Sequence, residues 1–416
     1  MTMPTILTFS SHDGSTLHYR HWPARNPSGR ALLLFHRGHE HGGRVAHLVD
    51  ELALPDMDVF AWDARGHGLN EGPRGYAPNM GCLTRDVESF VAHLAATHGL
   101  QLDQTIVIAQ SVGAVIATSW VHDYAPRLRG LVLASPAFSV KLYVPAAIPG
   151  LKLLQAFRGD FFVNSYVKAH YLTHDAERQA SFNSDPLITR PIASNILLEL
   201  YDVADRLIAD AGAIQVPTLM LVSGKDYVVR KAPQQEFFLR LGASMKRWVT
   251  LKGFFHDTLG ELGRETALRH IRQFVDECFE QPTAPVRFPA LLQAHKRGFT
   301  FDEFETLSKP ATPAWRDARF RIMRGLMRQV GGRLSKGIKI GVETGFDSGA
   351  MLDYVYLNQP QGAGPLGRLI DRNYLNAIGW RGIRQRRVHL ADLLAKAIRQ
   401  ARADGQPVRI VDIAAG

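Results

Sequence analysis

Short apolar segments, each followed by polar or glycine residues, recur along the first part of the chain. Each segment is a run of β-prone residues without polar alternation, which is typical of a strand buried on both faces. The segments are Ala31–Phe35, Val59–Trp62, Thr105–Ala109, Leu131–Ala134 and Thr218–Val222. Helical patterns such as Leu83–Thr97 and Val112–His122 lie between them. This alternation predicts an α/β fold with a mostly parallel sheet and helices on both faces.

Residues 137–205, approximately, interrupt this alternation. They are rich in aromatic and branched aliphatic residues, and four prolines divide them into short helical patterns. We predict a helical cap inserted over the sheet. Its apolar side chains are candidates to hold an apolar ligand, and they include Phe138, Leu142, Leu151, Leu154, Phe157, Phe161 and Phe162.

Ser111 lies in the segment Ala109-Gln110-Ser111-Val112-Gly113, between a predicted buried strand and a helix of small residues. A serine on a tight strand-to-helix turn projects above the sheet edge, and the turn needs small neighbours. The usual pattern is Gly-x-Ser-x-Gly, and Ala109 is small enough to replace the first glycine. We predict that Ser111 is a catalytic nucleophile, with an ordinary helix N-cap serine as the alternative.

A serine nucleophile needs a general base, which a third group must orient. In proteins with this type of turn, the acid and then the histidine follow the serine along the chain. Asp226 follows Thr218–Val222 through a short polar turn, and His256 lies in a loop after the strand-like Lys246–Leu251. We predict that both are catalytic, although Asp226 could cap a helix and His256 could be an ordinary loop residue. Asp257 is a rival acid, but a direct sequence neighbour rarely reaches the imidazole Nδ1.

Acyl transfer also requires two backbone N–H donors for the developing oxyanion. One is predicted to be Val112, the residue after the nucleophile. The other is predicted to come from the glycine-containing turn after the first apolar segment, at Gly38.

Motifs in order along residues 8–279 resemble the monoacylglycerol lipase-like branch of the α/β-hydrolases (serine aminopeptidase S33 type), which includes lysophospholipases and related esterases. The matching segments are Phe35-His36-Arg37-Gly38-His39-Glu40-His41-Gly42-Gly43-Arg44, Trp62-Asp63-Ala64-Arg65-Gly66-His67-Gly68, Glu71-Gly72-Pro73-Arg74-Gly75-Tyr76, Ser135-Pro136 and Asn183-Ser184-Asp185-Pro186-Leu187, together with the segments around Ser111, Asp226 and His256.

The resemblance implies an α/β-hydrolase fold without a cofactor and a carboxylic ester substrate. Because the cap is apolar, we expect a monoacylglycerol or a lysophospholipid, bound by Phe138, Leu142, Leu154 and Phe157. The alternative is a non-catalytic module of the same fold that binds a lipid or another ligand.

Two residues depart from the family pattern. Arg37 stands where glycine is usual, within the predicted oxyanion turn, and Asn70 stands where serine is common. We expect the Arg37 side chain to point to solvent. The alternatives are that it narrows the oxyanion site or favours an anionic head group.

Four histidines near this turn, His36, His39, His41 and His47, raise the question of a metal site. Metal ligands must converge on one point with support from further side chains, and this glycine-rich spacing does not ensure that. The resemblance assigns these histidines to a structural loop, so we expect no metal.

The 416-residue chain is longer than one hydrophobic core usually organises, and its charge is uneven. Residues 281–416 hold 22 of the 49 basic side chains but only 11 of the 39 acidic ones. We predict a hydrolase domain over residues 1–280, a linker over 281–285 and a basic, mainly helical region over 286–416. A basic excess suggests an anionic partner such as a membrane surface, or simply a solvated face. Nucleic acid is not expected, because no basic strand carries interleaved aromatic residues.

The chain ends in Val408-Arg409-Ile410-Val411-Asp412-Ile413-Ala414-Ala415-Gly416, a predicted buried strand followed by a turn of small residues. This ending resembles the first motif of class I S-adenosylmethionine-dependent methyltransferases. Together with Gly341–Asn358, it resembles the start of the methyltransferase half of bifunctional hydrolase–methyltransferase proteins. The further strands of that fold do not follow, so we expect an incomplete domain. Asp412 and Gly416 would contact S-adenosylmethionine only in a complete one.

Cysteine usage and the N-terminus bear on the compartment. Two cysteines cannot form a disulfide framework, and the N-terminal residues lack the basic and apolar regions of a signal peptide. The apolar stretch Leu142–Phe157 is too short and interrupted to span a bilayer. We expect a cytoplasmic protein, with peripheral contact at the inner face of the membrane as a further expectation.

Overall fold

A computed structural model describes residues 3–144, 146–165, 167–281, 318, 321–325, 327–403, 405 and 407–411. The chain divides into two compact units, Met1–Leu307 and Ser308–Gly416. Four residues of the predicted linker, Pro282 to Pro285, lie outside the described residues.

An eight-stranded sheet forms the centre of the first unit, in the order β1-β2-β4-β3-β5-β6-β9-β10. The pairs β1–β2 and β2–β4 are antiparallel, and all the other neighbouring pairs are parallel. The strands are β1 (Thr5–Ser10), β2 (Thr16–Trp22), β3 (Arg30–Phe35), β4 (Met57–Trp62), β5 (Thr105–Gln110), β6 (Gly130–Ala134), β9 (Thr218–Ser223) and β10 (Lys246–Leu251). The predicted α/β fold with a mostly parallel sheet is confirmed.

Helices cover both faces of this sheet. The helices of the first unit, including those of the cap, are α1 (His47–Leu52), α2 (Met80–His98), α3 (Val112–Tyr124), α4 (Ala147–Arg158), α5 (Ala176–Ser184), α6 (Ser194–Ala209), α7 (Lys231–Arg240) and α8 (Glu265–Glu280). Short 3₁₀ turns occur at Gly42–Val45, Leu102–Gln104, Ala169–Tyr171 and Ala211–Ala213.

Strand β5 shows why the inner positions of its segment, residues 106–109, are apolar. Val107 and Ala109 join the core cluster that contains α2 and α3, whereas Ile106 and Ile108 join the cluster that contains α1 and α8. Successive side chains of a strand point to opposite faces, so the inner positions of a strand covered on both sides are apolar, and the buried polar residues Thr105 and Gln110 lie at its ends.

The cap lies between β6 and β9. It consists of α4, α5 and α6 with a small antiparallel pair, β7 (Phe162–Asn164) and β8 (Pro191–Ala193). Helix α6 is strongly amphipathic and buries Leu197 and Leu200, whereas α4 has no buried residue. The two helices therefore differ in how they can contribute to a site under the cap.

The second unit is helical. A π-helical turn, Met327–Gly331, leads into the short helical turn Gly332–Leu334. The helices that follow are α9 (Lys336–Thr344), α10 (Gly349–Leu357), α11 (Gly364–Leu375) and α12 (Ile378–Ala403). Its small core contains Met351, Tyr354, Val355 and Leu375.

A buried carboxylate organises this second core. Asp371 accepts hydrogen bonds from the Ser335 hydroxyl at 2.6 Å, from the backbone N–H of Gly337 at 2.9 Å and from that of Gln361 at 2.8 Å, as well as from the Tyr354 hydroxyl. Burial alone would raise the pKa of Asp371, but these donors hold it below its ordinary value.

The predicted buried strand at the end of the chain is wrong where the structure describes it. Val408, Ile410 and Val411 are exposed and belong to no strand. A lone strand leaves its backbone groups unpaired, and the described part of the second unit contains no strand to pair with it. Asp412 and Gly416 lie outside the described residues.

Within the described residues, no helix is both long enough and apolar enough to cross a bilayer. Cys82 and Cys278 are free and buried, and burial raises the pKa of each thiol to about 12.

Candidate active site

The turn at Ser111 joins β5 to α3 and is strained. Ser111 has φ 55° and ψ −119°, a conformation that only a tightly constrained turn imposes on a residue with a side chain. The turn also requires the glycine two positions later, because a Cβ on Gly113 would lie 2.2 Å from the carbonyl oxygen of His36. This packing places the Ser111 hydroxyl at the carboxyl end of the central strands.

The three residues predicted as a triad meet at this edge. The Ser111 Oγ lies 2.7 Å from His256 Nε2, and His256 Nδ1 lies 2.8 Å from Asp226 Oδ2. The other oxygen of Asp226 accepts backbone N–H groups from Val228 at 2.8 Å and from Val229 at 2.9 Å. The carboxylate is therefore held on one side by the turn after β9 and on the other by the imidazole.

Electrostatics keep this acid ionised. Burial alone would raise the pKa of Asp226, but His256 and the two backbone donors hold it below its ordinary value. An ionised carboxylate accepts a hydrogen bond from Nδ1–H, so the proton stays on Nδ1 and Nε2 is left as the acceptor facing the serine hydroxyl. This is the arrangement that a serine nucleophile requires of its base.

The predicted oxyanion donors lie beside the serine. Gly38 and Val112 both line a cavity that Ser111 also lines. Among the described residues, the backbone N–H of Gly38 and that of Val112 have no hydrogen-bond acceptor. A side chain on Gly38 would crowd Val112, since an added Cβ would lie 3.1 Å from a Val112 methyl group.

The imidazole of His36 supports the turn that carries Gly38. Its Nδ1 donates to the Arg37 carbonyl at 2.7 Å, and its Nε2 accepts the Ala64 backbone N–H at 3.0 Å. Burial lowers the pKa of His36, which favours the neutral ring that this pattern needs.

The expectation that Arg37 points to solvent is wrong. The side chain is 3% exposed, and its guanidinium forms two hydrogen bonds with Glu40, at 2.7 and 2.8 Å. The same guanidinium lies 3.3 Å from a carboxylate oxygen of Asp257. The two carboxylates offset the free-energy cost of burying the guanidinium, because a buried charge is stable only when oppositely charged or hydrogen-bonding groups contact it.

The cavity beside Ser111 encloses about 770 Å³, including the space at its mouth. Its wall is mostly apolar, and Leu142, Leu197, Leu200 and Phe182 contribute to it. Of the predicted substrate-binding residues, Leu142 therefore lines the cavity.

Phe138, Leu154 and Phe157, the other predicted substrate-binding residues, do not line this cavity. Phe138 follows β6 and packs in the core against Phe237, with ring centroids 4.6 Å apart. Leu154 and Phe157 lie on α4, 45% and 84% exposed. Of the other apolar candidates, Phe162 is half exposed, and Leu151 and Phe161 are partly exposed without lining the cavity.

The histidines near the oxyanion turn have separate partners. His41 Nε2 bonds the Asp185 carboxylate at 2.9 Å, whereas His47 Nε2 bonds the Leu259 carbonyl at 2.9 Å. Elsewhere, atoms of His12, Cys82 and Asp86 lie within 4.8 Å of one another, but Asp86 is already paired with Arg65 at 2.7 Å. The expectation that the chain binds no metal stays a prediction.

Sequence reasoning missed Gln110, the residue before the serine. Its side-chain amide donates to the His256 carbonyl at 3.2 Å and to the Asp257 carboxylate at 3.3 Å. The glutamine is visible within the motif, but its partners are about 146 residues away in the chain, and spacing cannot reveal them.

It also missed a hydroxyl cluster formed by Ser135, Ser223 and Thr258. Ser135 has φ 40°, and its Oγ accepts a hydrogen bond from Thr258 at 2.8 Å. The signal was Ser135-Pro136, which we used for the family resemblance without assigning it a structural role.

Two families match the chain over successive segments. The family described as "Serine aminopeptidase, S33" matches residues 26–263, and that described as "Putative methyltransferase" matches residues 271–416. The Escherichia coli K12 protein YnbC is 51% identical over 412 residues, which are 98% of this chain and 69% of that protein. A Mycolicibacterium smegmatis monoacylglycerol lipase is 23% identical over 64% of this chain and 95% of its own length.

Solved structures show the same fold. The monoacylglycerol lipase of Paleococcus ferrophilus has a TM-score of 0.57 at 20% identity, over 63% of this chain and 99% of that one. A soluble variant of the Saccharomyces cerevisiae monoglyceride lipase, in complex with a substrate analog, has a TM-score of 0.58 at 18% identity, over 69% of this chain and 97% of that one.

Proposed function

This chain belongs to the serine aminopeptidase S33 family of α/β-hydrolases, in its monoacylglycerol lipase-like branch, and from that premise we propose that it hydrolyses the carboxylic ester of a monoacylglycerol or a lysophospholipid. The observation that carries the proposal is the unbroken relay Asp226–His256–Ser111, with contacts of 2.8 and 2.7 Å, opening on an apolar cavity. No cofactor takes part in the proposed reaction.

In the first half of the reaction, Ser111 Oγ attacks the ester carbonyl carbon as His256 Nε2 takes its proton. The carbonyl oxygen becomes an oxyanion, which the N–H groups of Gly38 and Val112 stabilise, each donor being worth roughly 3 kcal/mol in comparable enzymes. The tetrahedral intermediate collapses by breaking the bond to the alcohol oxygen, and His256 returns its proton to the leaving alcohol.

The second half repeats these steps with water. His256 removes a proton from water, whose oxygen attacks the acyl carbon attached to Ser111. The ester bond to Ser111 breaks, the free fatty acid leaves and His256 reprotonates the serine. Asp226 stays ionised throughout and stabilises the protonated imidazole.

Polarity at the cavity favours a neutral alcohol portion. Arg37 is the only lysine or arginine among the described residues that line the cavity, and Glu40 and Asp257 already balance its charge. Arg37 Nη1 has no hydrogen-bond partner among the described residues, but the guanidinium charge is already balanced. Since the rest of the wall is mostly apolar, a phosphate there would lose hydration without gaining an unbalanced positive charge. We therefore propose that a monoacylglycerol is a better substrate than a lysophospholipid with the same acyl chain.

A matched substrate panel tests this proposal. Free fatty acid release is measured from 1-monoacylglycerols, from lysophosphatidylcholine with the same acyl chain and from a short water-soluble ester. We expect the highest kcat/KM on a long-chain monoacylglycerol, and no release above background with Ser111→Ala. Tight binding of these lipids without turnover would favour the non-catalytic alternative. Cleavage of N-terminal peptide bonds instead of esters would contradict the proposal.

For the second unit we propose peripheral contact with an anionic membrane surface. Helix α12 has no buried residue, and it exposes Leu390 and Leu393 along with the charges of Arg386 and Lys396. A basic helix with exposed leucines binds anionic bilayers by burying apolar side chains and by electrostatic attraction to the lipid head groups. Salt weakens the electrostatic attraction. Co-sedimentation with phosphatidylserine vesicles should therefore fall at high salt and in an Arg386→Glu, Lys396→Glu variant. Salt-independent sedimentation would contradict this contact.

Binding of S-adenosylmethionine through Asp412 and Gly416 stays a prediction for a complete methyltransferase domain, since both residues lie outside the described part.

A further inference from the structure

Asp257, the residue after the proposed general base, is a buried carboxylate with no part in the relay. It is 1% exposed, and its oxygens contact side chains from three other segments of the first unit. Each of these segments either carries a group of the proposed reaction or belongs to the cap.

The first of these segments is the oxyanion turn. Arg37 Nη2 lies 3.3 Å from Asp257 Oδ2, while Nε and Nη2 of the same guanidinium hold Glu40. Because Arg37 directly precedes Gly38, this ion pair connects the backbone of the oxyanion turn to the loop that contains His256 and Asp257, the histidine loop.

The turn that carries the serine is the second. Gln110 Nε2 donates to Asp257 Oδ1 at 3.3 Å and to the carbonyl oxygen of His256 at 3.2 Å. Since Gln110 and Ser111 are adjacent, as are His256 and Asp257, this amide fixes the separation between the two residues that exchange a proton.

The cap provides the third. Arg178, on α5, donates its Nε–H to Asp257 Oδ2 at 2.8 Å, and the backbone N–H of Asp257 donates to the Leu172 carbonyl at 2.7 Å. The histidine loop is therefore attached to the cap by a side-chain contact and a backbone contact.

A buried carboxylate that accepts hydrogen bonds from several segments restricts how far those segments can move relative to one another. Burial alone would raise the pKa of Asp257, but Arg178 and Arg37 hold it well below its usual range, so the group stays ionised. Charge-assisted hydrogen bonds have narrow distance and angle preferences. Displacements of about 1 Å between reacting groups can lower a rate by about 100-fold.

We propose that Asp257 is a positioning residue that holds the oxyanion turn, the serine turn and the histidine loop in register. This inference rests on the proposed function in that it assigns Asp257 to the same reaction. It does not touch the substrate, and its effect passes through Arg37, Gln110 and the backbone of His256. Loss of its charge therefore lowers the rate of acylation, while the apolar side chains that line the cavity, none of which Asp257 contacts through a hydrogen bond or ion pair, remain in place.

The test compares Asp257→Asn with wild-type protein in ester hydrolysis and in the rate of covalent labelling by a fluorophosphonate. We expect kcat to fall by about 10- to 100-fold with KM within about threefold of wild type, and the labelling rate to fall in parallel. Asp123→Asn is the matched control, because Asp123 is an ion-paired carboxylate about 18 Å along α3 from Ser111. It should leave both rates unchanged.

If Asp257→Asn does not fold, Gln110→Met decides the question. This variant removes only the contact at the serine turn, and we expect a fall in kcat and in the labelling rate without a change in KM. Wild-type kcat and labelling rate in folded Asp257→Asn, or in folded Gln110→Met, would overturn the inference. Wild-type protein that labels but hydrolyses no ester would overturn the proposed function alone, since the labelling comparison still tests Asp257.

Discussion

Ser111 depends on a neighbour that has no side chain. At Gly113 a Cβ would meet the His36 carbonyl at 2.2 Å, so a larger residue must push the oxyanion turn away from the serine turn. Gly113→Ala should therefore destabilise the protein by several kcal/mol and reduce esterase activity further than the loss of folded protein explains. Urea unfolding and kcat on the folded fraction measure the two effects.

Gly150 provides the matched control, because a Cβ there has nothing within 4 Å. It lies in α4, where alanine is favoured over glycine by about 0.5–1 kcal/mol. Gly150→Ala should leave activity unchanged and not lower stability. Equal effects at the two positions would show that backbone crowding at Gly113 is not the cause.

The three residues of the relay could be predicted from sequence, because their order along the chain and their position after buried segments indicate their roles. Ser111, Asp226 and His256 each follow a buried segment in the order that this kind of relay requires, and the structure brings them within hydrogen-bond distance. The burial of Arg37 could not be predicted, because only Glu40, one of its two carboxylate partners, is close in sequence, and the other, Asp257, lies 220 residues away.

Among the elements, the two apolar cap helices α4 and α6 differ in their relation to the cavity. Leu197 on α6 lines it, whereas Phe157 on α4 is 84% exposed. Leu197→Trp should shorten the cavity and reduce kcat/KM for long-chain esters by about tenfold or more, with little effect on short ones. Phe157→Ala is the control and should change neither. The measurement is kcat/KM over a series of acyl-chain lengths.

An equal effect of Leu197→Trp on short and long chains would contradict the role of this wall in chain binding. Our sequence analysis did not distinguish α4 from α6, because both are rich in leucine and isoleucine and contacts between distant segments decide which side chains line the cavity. The sheet was easier to predict, because a central strand that is buried on both faces is visible in the sequence as a short run of apolar residues.

Over the whole first unit, stability should depend on histidine protonation. Burial and the neighbouring His36 lower the pKa of His67 to about 3, and burial also lowers the pKa of His39, to about 4, and those of His36 and His47. Between these values and about 6.5 the unfolded chain binds more protons than the folded one, so stability rises with pH. His122, whose pKa is raised by Asp123 and Asp210 against the effect of burial, acts in the opposite direction.

We therefore expect the free energy of unfolding to fall as the pH is lowered from 7 to 5. His67→Gln removes one of the groups that bind a proton on unfolding. It should therefore reduce the change in the free energy of unfolding with pH by up to about 1.4 kcal/mol per pH unit. Urea titrations at several pH values measure the slope. A slope in His67→Gln equal to that of wild type would contradict the assignment.

At this scale the sequence predicted an α/β-hydrolase fold followed by a mainly helical region, and the structure shows both in the described residues. The predicted boundaries at residues 280 and 286 stay a prediction. The predicted terminal strand was wrong over its described residues 408–411, because strand formation depends on pairing partners that a nine-residue motif does not contain.

The central claim is that Ser111 forms a covalent bond with the acyl group of an ester. The most direct measurement is to quench the reaction of the protein with an activated long-chain ester in acid and to locate the acyl group by mass spectrometry of peptides. We expect an acyl group on Ser111 in wild-type protein and none in Ser111→Ala, which should also lose turnover. An acyl group on another residue, or full turnover in Ser111→Ala, would contradict the claim.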